Sequence, residues 1–110
     1  NPRFQGTLEM LEHAGKVSVT ELHALACRGE LPTVRPTFKS AVRLVVFARR
    51  DGIAPDLSLL PATVDRTPRG VRVKRGDPVC SIIESGGSLQ SCYNRAIETS
   101  KAIEAGLAVS

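Results

Sequence analysis

The segment Ser40 to Ala48, Ser-Ala-Val-Arg-Leu-Val-Val-Phe-Ala, constrains the fold most. It is rich in β-branched residues and nearly continuous in apolar ones, which predicts a strand covered on both faces. Val42, Leu44 and Val46 fall on one side of such a strand, and Arg43, Val45 and Phe47 on the other. Three other stretches of the chain have the pattern of helices.

Thr7 to Ala14 predicts a short helix, with Thr7 as N-cap, Glu9 in the first turn and Gly15 as the stop. Ser18-Val19-Thr20-Glu21 is a capping box that opens a second helix. Val19, Leu22, Leu25 and Ala26 then share one face, Gly29 ends the helix, and Pro32 prevents its resumption. Ser88 is the N-cap of the third and longest helix. Its apolar face runs through Leu89, Cys92, Tyr93, Ala96, Ile97, Ser100, Ile103 and Leu107, and Gly106 begins its end.

Residues 33–39 form a Pro-broken connector, and Arg49-Arg50-Asp51-Gly52 is a turn. Ile53 to Pro68 predicts a loop with short extended pieces. Val71-Arg72-Val73 and Val79 to Ile83 read as two strands joined at Gly76-Asp77-Pro78 into a hairpin. The order helix, helix, strand, loop, two strands, helix predicts an α+β unit with a small, mostly antiparallel sheet and packed helices. A length of 110 residues allows one small domain, or one domain with part of another. Phe4, Phe38, Phe47 and Tyr93 are the only aromatic residues, so the core must be aliphatic.

Composition narrows the function classes. No apolar run is long enough to span a bilayer, and no amino-terminal segment has the pattern of a secretion signal. Cys27, Cys80 and Cys92 are odd in number, widely spaced and set among apolar residues. They read as reduced core residues of a cytoplasmic protein. The net charge of +4 comes largely from Arg66, Arg69, Arg72, Lys74 and Arg75, with Arg49 and Arg50 as a second group. Single-strand binding needs aromatic platforms among the basic side chains, and that cluster has none. Such a run reads first as a solvated face and second as a surface toward a phosphate-bearing ligand or neighbouring domain. Nucleic acid ranks third.

Few other residues suggest chemistry. His13 and His23 lack Cys or carboxylate partners at a metal-site spacing, so zinc is not expected. Cys80 and Cys92 have no neighbouring His to activate a nucleophile. Ser85-Gly86-Gly87-Ser88 is too short for a phosphate loop and lacks the following Lys-Ser/Thr, so capping suffices to explain it.

The opening triplet Asn1-Pro2-Arg3 has no initiating Met, which reads as a cut from a longer chain. An Asn amide oxygen can ligate a hard cation, Arg can grip a phosphate through its planar fork, and Pro fixes the backbone between them. Asn1-Pro2-Arg3-Phe4-Gln5-Gly6-Thr7-Leu8-Glu9, followed by Glu21 to Pro32, resembles the carboxyl-terminal end of an ATP-grasp enzyme. The similarity is to the carboligase branch related to biotin carboxylase. Gly76-Asp77-Pro78-Val79 and Gly87-Ser88 resemble the hairpin turn and helix start of the small terminal subdomain in that family.

The resemblance implies a division at residues 1–32, the tail end of the ATP-grasp domain, and 33–110, a small terminal subdomain. It implies an ATP-dependent ligase that activates a small carboxylate as an acyl phosphate, using ATP and Mg2+. Asn1 would be a metal ligand, and Arg3 a catalytic and cofactor-binding contact to phosphate. The acidic metal ligand and nucleotide-binding loops expected upstream lie outside this sequence. The chain alone is therefore expected to be inactive and to bind no cofactor. The rest of the parent chain would be its partner, and self-association through exposed apolar surface is the risk of separation.

Two rival readings use the basic residues. One is a non-catalytic basic module that contacts nucleic acid or a partner protein. The other is a carrier domain, since Val71 to Ile83 faintly resembles the hairpins of biotinyl and lipoyl domains. Lys74 lacks the Met-Lys or Asp-Lys setting that a carrier needs.

Overall fold

The computed structural model describes residues 5–33 and 35–109. It is α+β, as expected, with three α-helices and a small antiparallel sheet. The helices are α1 (Gly6–Gly15), α2 (Val19–Cys27) and α3 (Leu89–Gly106). The strands are β1 (Ala41–Phe47), β2 (Gly52–Ile53), β3 (Thr63–Val64), β4 (Arg72–Val73) and β5 (Pro78–Ser85).

The main sheet has the order β1-β5-β3, all antiparallel. Leu44 pairs with Ile82 and Arg43 with Ile83. Opposed residues share a face, so Val42, Leu44 and Val46 join Cys80 and Ile82 on one side. Helix α3 covers that side with Ala96 and Ile103, and the cluster extends to Leu57, Val73 and Leu107. On the other side α1 covers Arg43 and the buried Ile83. The expected two-sided cover of β1 is therefore present, but it stops short of Phe47, which is exposed at the strand end.

The register shifts between Val46 and Phe47, whose partners are Cys80 and Pro78. This bulge leaves Val79 without an opposite residue, and both Val79 and Cys80 join the core.

The expected hairpin between residues 71–73 and 79–83 does not form. Strand β4 pairs with β2 instead, in a separate two-stranded ribbon. The turn at Gly76-Asp77 binds the end of β1: Gly76 N–H donates to Ala48 O (2.8 Å) and Ala48 N–H to Asp77 O (2.9 Å). The reason is burial. Pairing with the long apolar β1 covers β5 along its length, which a short, half-exposed β4 cannot do. Within Ile53 to Pro68 the expected loop does contain short extended pieces, and β3 joins the main sheet.

Local capping follows the sequence at two of three helices. Ser18 accepts from Glu21 N–H (3.2 Å) and Ser88 from Ser91 N–H (3.0 Å). Helix α2 ends with Gly29 N–H bonded to Ala26 O (3.0 Å) and Glu30 N–H to Leu25 O (2.9 Å), with Gly29 left-handed. That pair of bonds is a Schellman motif. Helix α1 departs from expectation. Gln5, not Thr7, is its N-cap, and the left-handed residue after it is Lys16, not Gly15. Gly15 is needed for another reason: a Cβ there would lie 2.5 Å from the Phe38 ring.

Helix α3 runs as expected to Gly106, but its apolar face is only partly used. Cys92, Ala96 and Ile103 are buried, whereas Leu89 is 60% and Tyr93 50% exposed. Helix α2 buries none of its residues. Among the described residues, no helix is long and apolar enough to cross a membrane.

Candidate functional site

A half-open polar cleft lies where α1 meets the sheet. Gln5, Gly6, Glu9 and Glu12 of α1 and its cap, Val19 and Thr20 of α2, and Arg43 and Asp65 border a cleft of about 380 Å³. Arg43 is the only charged residue in β1, and an ion placed between a sheet and a helix needs compensation. One guanidinium nitrogen donates to Asp65 Oδ2 at 3.1 Å. The Nε–H is buried and has no hydrogen-bond partner among the described residues.

Gly6 makes this arrangement feasible. A Cβ at Gly6 would come within 2.4 Å of Arg43 Cζ, so the guanidinium rests against bare backbone. Asp65 adopts a left-handed backbone (φ 50°), a conformation that Asp tolerates better than most residues.

Two features attract an anion. The first turn of α1 carries the positive end of the helix dipole, and the Gln5 side chain does not cap it. Arg43 offers a side-on edge, of which only one nitrogen is engaged. A carboxylate or phosphate taking Nε and the adjacent nitrogen together would form two parallel bonds. Asp65 is mostly exposed and can yield that position. The carboxylates of Glu9 and Glu12 border the same cleft, and Glu12 is committed to the Val19 N–H at 2.8 Å. The lining thus sets three carboxylates against one guanidinium, and Arg43 is the one charged group among the described lining residues that could hold an anion. Among them no group of three His, Cys, Asp or Glu side chains is placed to hold a metal.

The residues expected from the sequence fare differently. Asn1 and Arg3, the expected metal ligand and phosphate contact, lie outside the described residues. They precede Gln5 in the chain, and Gln5 borders the cleft. The basic cluster is exposed at Arg66, Arg69, Arg72, Lys74 and Arg75. Arg66 also turns inward: its Nε–H donates to Thr63 Oγ1 at 2.8 Å, and the Thr63 hydroxyl donates to Leu60 O at 2.6 Å. Of the second basic group, Arg49 pairs with Glu104 at 3.1 Å and Arg50 donates to Leu107 O. Ser88 caps α3, as its sequence suggested.

Cys80 and Cys92 are buried, as expected, and burial pushes the Cys80 thiol from 9.0 up to about 11. Cys27 is not a core residue. It is exposed, one helical turn from His23, with its Sγ 3.6 Å from His23 Nε2. The sequence spacing predicts no Cys partner for His23, but the fold places Cys27 in contact with it, and no third ligand joins the two among the described residues.

Sequence reasoning overlooked Arg43 and Asp65 as a site. A signal was present, because a lone Arg in a strand covered on both faces must find a partner or a ligand. The partner's identity depends on a loop distant in sequence. Comparison with protein families, with curated proteins and with solved structures finds no match.

Proposed function

We propose that this chain is the carboxyl-terminal portion of an ATP-dependent carboxylate ligase of the ATP-grasp type, its terminal subdomain built on the β1-β5-β3 sheet. The observation that carries this reading is a juxtaposition. The triplet Asn1-Pro2-Arg3 leads in sequence directly into α1, whose first turn borders the cleft that holds Arg43.

In such a ligase a carboxylate oxygen takes the γ-phosphoryl group of ATP, releasing ADP. An amine nitrogen or similar nucleophile then attacks the acyl carbon, phosphate leaves, and the nitrogen loses a proton. Magnesium would supply charge neutralisation on the phosphate oxygens. Asn1 would offer it a neutral oxygen, and Arg3 would orient the phosphate through its fork. Arg43 would hold an anionic group of the substrate, with Gly6 keeping the approach open. The nucleotide-binding segments would come from the remainder of the parent chain, so this portion alone would not turn over ATP.

The test is made in the intact parent protein. Asn1→Ala and Arg3→Ala should each lower ATP-dependent ligation on the order of 100-fold, the scale of losing a preorganised contact to developing charge. Undiminished ligation in both variants would remove both residues from the site, and the reading with them. A parent sequence without a carboxylate residue shortly before Asn1 would have the same effect.

A further inference from the structure

We infer that His23 and Cys27 form half of a tetrahedral site for a zinc-class divalent ion, and that the same pair from a second copy of this chain completes it. The residues stand at i and i+4, one turn apart on α2, so their side chains lie on the same face. Both are exposed, and His23 Nε2 sits 3.6 Å from Cys27 Sγ. Zinc bonds of about 2.3 Å to sulfur and about 2.0–2.1 Å to imidazole nitrogen, at a tetrahedral angle, put the two donor atoms about 3.6 Å apart. The observed contact is a sulfur–nitrogen hydrogen bond, and its length equals the separation that two ligands of one zinc-class ion would have.

One chain offers only two donors, and no third His, Cys, Asp or Glu among the described residues joins them. A closed zinc site needs four. A two-fold axis through the ion converts two into four by symmetry, giving two imidazoles and two thiolates. The surface of α2 suits this close approach. Thr20 and Ala24 share the exposed strip with His23 and Cys27, and both are small. No residue of α2 is buried within the chain, and beyond its end Leu31 is 88% exposed and available to be covered. Arg28 and Glu30, at the same end, pair with each other at 3.6 Å.

Binding releases one thiol proton from each of the two Cys27 residues, and nothing is oxidised or reduced. The inference makes no use of the Arg43 cleft or of nucleotide, so it stands or falls separately from the proposed ligase role.

The test uses the reduced chain, kept reduced with a phosphine, and measures mass in solution during titration with Zn2+. Half an equivalent of zinc should double the mass, and EDTA should restore it. Co2+ should give a thiolate-to-metal absorption band with the same stoichiometry. His23→Ala and Cys27→Ala should each abolish both effects with an unchanged far-UV circular dichroism spectrum, whereas His13→Ala should keep both. Zinc bound one per chain without a change of mass would overturn the inference. So would a doubled mass that survives EDTA, or doubling in the His23→Ala variant.

Discussion

The Arg43 guanidinium lies directly against the Cα of Gly6, at a distance that leaves no room for a Cβ (2.4 Å to Cζ). A helix start and an edge strand of the sheet, far apart in sequence, meet there around one half-buried cation. The contact is a poor device for stability, because Nε–H is buried without a partner among the described residues. Replacing Arg43 with Met keeps most of the side-chain volume and removes that penalty. Arg43→Met should leave stability unchanged or raise it by about 1–2 kcal/mol in urea unfolding. In the intact ligase proposed above, the same variant should lose affinity for the anionic substrate. A stability loss above about 2 kcal/mol would show that the cation supports the fold and not a ligand.

The core makes a sharper claim about α3. Ile103 of α3 and Ile82 of β5 are 1% and 0% exposed, so Ile103→Ala and Ile82→Ala should each cost about 2–5 kcal/mol. Leu89 lies on the face that periodicity assigns to the core, yet it is mostly exposed. Leu89→Ala should cost less than about 1 kcal/mol by the same measurement.

Gly52 faces a backbone atom that cannot move aside easily. A Cβ there would lie 2.8 Å from Ala108 O, within the bridge where Ile53 N–H donates to that oxygen (2.9 Å). Gly52→Ala should destabilise by about 1–3 kcal/mol, the range of a lost buried hydrogen bond. Ending the chain at Leu107 removes the obstructing carbonyl, so the substitution should cost measurably less in the shortened chain. Equal cost in both would place the strain elsewhere.

The helix caps differ in a way that thermal unfolding can read. Ser88→Ala and Ser18→Ala remove side-chain acceptors and should each cost about 1 kcal/mol. Thr7 is exposed and inside α1, so Thr7→Ala should change stability by less than about 0.5 kcal/mol.

Burial raises the Cys80 thiol to about 11, whereas an exposed thiol in the unfolded chain ionises near 9.0. Between these values the unfolded chain gives up a proton that the folded chain keeps. Stability contributed by the neutral thiol is therefore complete below pH 9 and falls as pH rises toward 11. Cys80→Ala should flatten that alkaline slope, even though it lowers stability at neutral pH. In native protein, Ellman's reagent should titrate Cys27 alone. Cys80 and Cys92 should react only on unfolding.

Residue order alone determined the features that depend on near neighbours. Ser18 and Ser88 cap helices because their hydroxyls reach an N–H three residues on, and Gly29 closes α2 because a left-handed residue without a Cβ fits there. The α+β class follows from the spacing of apolar residues along β1, β5 and α3. Long-range burial decided the rest. The turn at Gly76-Asp77 suggested a local hairpin, but β5 covers more apolar surface against β1 and takes β3 as its other neighbour. Cys27 and Leu89 carry apolar side chains that nothing among the described residues folds back to cover. Arg43 meets Gly6 and Asp65 only once α1 lies on the sheet, because contacts between distant segments are settled by which arrangement removes most surface from water, not by local propensity.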